Sequence, residues 1–255
     1  MLNHPALLSH RSHDYRFLIQ RWRNVARRCG TRLQKWGMAG ELPLYYLRTR
    51  ALRQTGGLYL SAGIHGDEPG ATEGLIAWAE GEGERLKELP LLIFPCLNPW
   101  GLIANSRYEQ SGLDLNRSFH RDDLPFVSGW KNIIAPYRFA AALNLHEDYD
   151  GQGLYLYEVQ RDQPYWGEQL LDVARPIIPI EQRVKVDGRK SKAGLIRRRF
   201  TRGLFEIIGY PEAIWLHLHH SQRTFTVETP SEFALPHRAA AHVAIIEECA
   251  RRVCG

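Results

Sequence analysis

The chain has 255 residues, 44% of them hydrophobic, and its 33 Lys and Arg against 28 Asp and Glu give a formal net charge of +5. That length supports one large core, and no segment approaches the roughly 18 uninterrupted apolar residues of a membrane span, so no membrane partner is expected. No Pro/Gly/Ser-rich linker divides the chain, so residues 1–255 are expected to form a single domain, with 1–55 supplying an N-terminal helix and strand packed on it.

The first predicted element is a helix in "RFLIQRWRNVARRCGTRLQK", where Phe17, Leu18, Trp22, Val25, Ala26 and Cys29 recur at helical spacing. Its arginines fall on the other face and read as solvated, so no nucleic-acid partner is expected. A strand, "LPLYYLRT", follows. A buried strand, "GGLYLSAG", runs into a loop with His65 and Glu68, and a helix with proline in its first turn extends from about Pro69 to Glu80. "LPLLIFPCLNP" is an apolar strand closing on Asn98 and Pro99. After a polar loop, "RFAAALNLHED" carries a buried strand into His146, and "GLYLYEV" alternates like another. The run "GRKSKAGLIRRRFTRG" contains no acid; a solvated run is favoured, and a positive rim around a pocket for anionic substrates is the alternative. "AIWLHLHH" and "RTFTVETP" read as two strands, and "PHRAAAHVAIIEECARRV" as a closing helix.

Strands alternating with helices imply an α/β fold: a mixed, largely parallel sheet flanked by helices on both faces. His65, Asn98, His146 and Glu228 then each sit at the C-terminal end of an apolar strand, where such sheets bind ligands. Cys29, Cys96, Cys249 and Cys254 have neither metal-ligand spacing nor disulfide density and read as reduced thiols. The N-terminal residues lack the apolar core of a secretory signal, and the expected location is cytoplasmic.

Zinc accepts imidazole nitrogen and carboxylate oxygen, and catalytic sites keep one position open, a recipe that His65, Glu68 and His146 satisfy. The competing reading is a structural histidine beside a glutamate favoured by the dipole of a helix start. In "HLHH", His217 and His219 would share a strand face; a packed pair is favoured there over a second metal site.

The H-x-x-E loop, the turn "NPWG", Arg107 followed by "GLDLNR", a histidine closing one strand and a glutamate closing a late one occur in that order over roughly residues 58–232. Together they resemble the zinc carboxypeptidase family of the carboxypeptidase A type, within the superfamily that includes succinylglutamate desuccinylase and aspartoacylase. The resemblance implies one Zn2+ per chain on His65, Glu68 and His146. It further implies Arg107 as the group polarising the scissile carbonyl, Asn116 and Arg117 as the clamp for a substrate carboxylate, and Glu228 as general base and acid. Tyr210 is the nearest candidate for the substrate-capping tyrosine, though "IIGYPEA" does not match its usual surroundings. The implied activity is that of a metallocarboxypeptidase acting on a C-terminal amide through metal-activated water. The alternative is a deacylase of N-acyl amino acids, and less favoured is a non-catalytic basic binding protein. Either enzyme would act on a peptide or acyl-amino-acid substrate with a free carboxylate. Asp114 is expected to orient an arginine or a histidine ligand; for Glu147 and Asp148, ordinary acids of an exposed loop are favoured over a role in supporting the ligands or at a second metal.

Overall fold

The computed structural model describes residues 11–160, 162–198 and 209–255. In chain order the elements are α1 (Tyr15–Arg28), β1 (Leu33–Ala39), β2 (Leu42–Arg48), β3 (Leu58–Ser61), α2 (Pro69–Glu82), β4 (Leu91–Phe94), α3 (Pro99–Ala104), α4 (Pro125–Ile134) and β5 (Ala141–Asp148). They continue with β6 (Tyr155–Gln160), α5 (Gly167–Ala174), β7 (Lys185–Val186), β8 (Arg189–Lys190), β9 (Leu195–Arg197), α6 (Glu212–His219), β10 (Arg223–Pro230) and α7 (Leu235–Cys254).

Among the described residues eight strands form one sheet in the order β1-β2-β4-β3-β5-β10-β6-β9. The four central strands, β4, β3, β5 and β10, are parallel, while β6 runs antiparallel to β10. Side chains alternate between the faces of a strand. Leu58, Leu60, Leu143, Leu145, Phe225 and Val227 therefore enter one core with Trp22 of α1, Leu75 and Trp78 of α2 and Ile245 and Ile246 of α7. On the opposite face Tyr59, Phe94 and Ala142 pack with Trp130 and Ile134 of α4 and Leu216 of α6. The mixed, largely parallel sheet with helices on both faces is the architecture expected from the sequence.

Three local expectations fail. Residues 212–219 are helical: Glu212, Ala213, Ile214, Leu216 and His217 are buried, a pattern that does not alternate as a strand would, and an apolar run this short does not reveal its period. His217 and His219 therefore share no strand face. The stretch before β5 is not all loop, because Val127, Trp130 and Ile134 bury one face of α4. On α1, Arg16, Arg23, Arg27 and Arg28 are exposed as expected, but Arg21 is buried, donating to Glu73 at 2.6 Å and to Glu80 at 3.0 and 2.8 Å on α2.

Candidate active site

His65 and Glu68 lie in the loop joining β3 to α2. Its path requires glycine at two points: Gly63 has a φ of +63°, and a Cβ on Gly66 would lie 1.8 Å from the carbonyl carbon of Gly101. Glu68 immediately precedes α2, with Pro69 in the first turn, yet its carboxylate makes no capping bond. It turns instead to two imidazoles, with Oε1 2.6 Å from His65 Nδ1 and Oε2 2.8 Å from His146 Nδ1. The helix-start reading does not explain that orientation.

His146 follows Asn144 on the site-bearing face of β5, so the strand's alternation aims it where the β3–α2 loop arrives. All three residues are buried, and one ligand atom from each lies within 4.8 Å of the others. Two imidazole nitrogens and a carboxylate oxygen are a donor set that zinc accepts, so these residues fit that ion.

The charges are strongly coupled. Burial opposes ionisation of Glu68, but the adjacent His65 and His146 hold its carboxyl well below the usual range. Burial likewise disfavours a charged His65, yet Glu68 and Asp114 outweigh it and raise the imidazole to about 9.

Asp114 stands where the sequence reading expects it. One oxygen lies 3.3 Å from His65 Nε2, and the other accepts from Arg107 Nε and Nη2 at 3.1 and 3.0 Å. Its first oxygen also accepts the Asn116 N–H at 2.9 Å, so one carboxylate fixes a histidine, an arginine and the short helical turn Leu115–Arg117. Burial works against its charge, while His65 and the guanidinium groups of Arg107 and Arg117 hold the carboxyl well below its ordinary value.

His65, Glu68, Arg107, Asn116, Arg117, His146 and Glu228 all line one cavity of about 810 Å³. Asn116 is buried, with its Oδ1 accepting the Glu212 N–H at 2.9 Å, which leaves the amide nitrogen for other contacts. Arg117 is exposed, donates Nη1 to the Asn116 carbonyl at 3.0 Å and pairs with no carboxylate among the described residues. Glu228 is partly buried; burial first, then the charges of Glu68 and Asp148, push its carboxyl up to about 8 against the opposing pull of His146 and Arg107. Tyr210 is not brought to this cavity. Its ring packs near His120 and Trp215, and its backbone joins Arg117 O and the Phe119 N–H.

Sequence reasoning missed the far wall. Tyr155 and Tyr157 of β6 stand opposite Glu228 and Thr226 of β10, and all four line the cavity. The alternation of "GLYLYEV" marks Tyr155 and Tyr157 as one face, but only the antiparallel register brings that face to the site. Their hydroxyls donate to Asp148 and Asp187 at 2.9 Å each. Arg189 and Arg198 also line this wall, as the positive-rim reading of the second basic run anticipates; residues 199–203 of that run lie outside the described residues.

A model of the succinylglutamate desuccinylase/aspartoacylase catalytic domain matches residues 54–147, a span that contains His65, Glu68, Arg107 and His146 but stops short of Glu228. The matched span is less than half of the chain, and with the fold it supports the zinc carboxypeptidase-like superfamily. Its fold is similar to that of a candidate metallopeptidase from Shewanella amazonensis SB2B, at a TM-score of 0.84 and 21% identity over 95% of this chain and 94% of that one. The murein-tripeptide amidase MpaA from Escherichia coli O157 aligns at a TM-score of 0.57 and 17% identity, covering 86% of this chain and 91% of its own. A metallo-carboxypeptidase from Pseudomonas aeruginosa, solved with (2-guanidinoethylmercapto)succinic acid, aligns at 0.62 and 17% identity over 94% and 68% of the two chains. No curated protein matches the chain in sequence. Among the described residues no helix is long and apolar enough to cross a membrane.

Proposed function

We propose that this chain is a zinc-dependent metallocarboxypeptidase, with one zinc per chain, that hydrolyses an amide bond next to a free carboxylate. The observation that carries this reading is the convergence in one cavity of the buried His65–Glu68–His146 group, Glu228 and the exposed Arg117. When bound, zinc supplies a Lewis acid that polarises a carbonyl and lowers the pKa of water. Arg117 and the Asn116 amide bind the terminal carboxylate of the substrate, because a guanidinium fork suits carboxylate geometry. Arg107, held by Asp114, directs positive charge to the carbonyl oxygen as negative charge develops there. Glu228 takes a proton from the attacking water and returns it to the leaving amine.

The match to the desuccinylase/aspartoacylase catalytic domain supports a second reading, a deacylase of N-acyl amino acids. Zinc-loaded protein is assayed against peptides with free or amidated C-termini and against N-acyl amino acids, with His146→Ala as control. Cleavage of free-carboxylate peptides that His146→Ala lacks supports the peptidase. Turnover of the acyl amino acids alone favours the deacylase, and activity that His146→Ala retains contradicts both.

A further inference from the structure

Glu147 immediately follows His146, and the sequence reading placed it among exposed acids; its side chain is instead wholly buried. It leaves β5 on the face opposite His146, towards α2 and α7. One carboxylate oxygen accepts the Gly70 N–H of α2 at 2.9 Å, and the other accepts from Thr229 Oγ1 of β10 at 3.1 Å. Arg238 of α7 donates Nη1 to both oxygens at 2.7 Å. The approach is close: a Cβ on Gly70 would lie 2.2 Å from Glu147 Oε1 and 3.1 Å from Arg238 Cβ. Gly70 itself lies two residues beyond Glu68.

One carboxylate therefore joins the residue beside His146 to the helix start beside Glu68, through the Gly70 N–H, and to α7, through Arg238. We propose that Glu147 and Arg238 are positioning residues that set the separation of His146 from the His65–Glu68 loop, so that α7 tunes metal affinity from behind the site. The inference rests on the reading of these three residues as zinc ligands. Groups that orient metal ligands typically change affinity by 10–100-fold when altered. Arg238 acts here through a single nitrogen shared between two oxygens, a geometry that a lysine ammonium can reproduce.

The test is zinc affinity by competition with a chromophoric chelator on full-length wild type, Arg238→Met, Arg238→Lys and His146→Ala, with urea unfolding of each metal-free protein alongside. Arg238→Met is expected to bind zinc roughly 10–100-fold more weakly than wild type, and Arg238→Lys within about threefold of it. Should Arg238→Met not fold, Glu147→Gln carries the same expectation, since its amide oxygen still accepts from Gly70 while the charge facing Arg238 is gone. A folded Arg238→Met or Glu147→Gln whose zinc affinity stays within about threefold of wild type, with only its unfolding stability lowered, makes the pair a structural brace and overturns the proposal. Wild type that binds zinc no better than His146→Ala overturns the ligand assignment instead.

Discussion

Glu228 and His146 are direct register partners in the parallel pairing of β10 with β5. Because both project from the same face near the strand ends, the backbone ladder itself places a proton-transfer candidate beside a metal-ligand candidate. The arrangement needs no loop to fold correctly for these two groups to meet. The other half of the site depends on the β3–α2 loop and on Asp114.

Asp114 contacts both His65 and Arg107, so its loss should be felt at both. Asp114→Asn keeps the size of the side chain but removes the charge that offsets Arg107. We expect zinc affinity to fall roughly 10-fold or more and kcat/KM to fall further than zinc occupancy alone explains. Chelator competition and kinetics at saturating zinc separate the two effects, and unchanged values for both would leave Asp114 a simple turn residue.

Arg117 presents to the cavity a guanidinium that pairs with no carboxylate among the described residues. Amidating the substrate carboxylate, or changing Arg117 to Ala, should each lower kcat/KM by about 2 kcal/mol, roughly 30-fold, as expected for one lost charge-assisted hydrogen bond. The two changes together should cost little more than either alone, because they remove the same contact. Full additivity in this double cycle means that the carboxylate is held elsewhere.

His242 gives a pH-dependent stability. It is fully buried, with Nε2 3.1 Å from Thr229 Oγ1, and burial, reinforced by the charge of Arg238, lowers the imidazole to about 3. A histidine in the unfolded chain takes its proton near pH 6.5. Between about 6.5 and about 3 the unfolded state therefore holds more protons than the native state, and His242 makes the protein less stable as the pH falls through that window. Urea unfolding at pH 7.5 and 5.5 should show a smaller loss of stability for His242→Gln than for wild type. An equal loss removes His242 as a contributor.

Much of this architecture is legible in the sequence because the central strands are short apolar runs ending at polar residues. "GLYLSAGIH", "ALNLHED" and "TFTVETP" carry both the strands and the residues they deliver. Asp114 is legible because it lies in the segment that carries Arg107, Asn116 and Arg117. What escaped was set by tertiary pairing. Tyr155 and Tyr157 join the cavity through antiparallel pairing with β10, and Glu147 is buried with partners distant in sequence: Gly70, Thr229 and Arg238, the last 91 residues later. β1 escaped because its burial pattern does not alternate and its register shifts between Lys35 and Gly37. Residues 213–220 read as a strand because eight mostly apolar residues fit either period.

The central claim is that Glu228 moves protons for a metal-dependent hydrolysis, and Glu228→Gln tests it most directly. Glutamine is nearly isosteric and removes only the capacity to carry a proton, while His65, Glu68 and His146 are untouched. With zinc content and unfolding stability matched to wild type, kcat on the best substrate from the panel should fall roughly 100-fold or more, since general acid–base catalysis contributes about 10²–10⁴. A glutamine variant with full zinc and turnover within a few-fold of wild type contradicts the account.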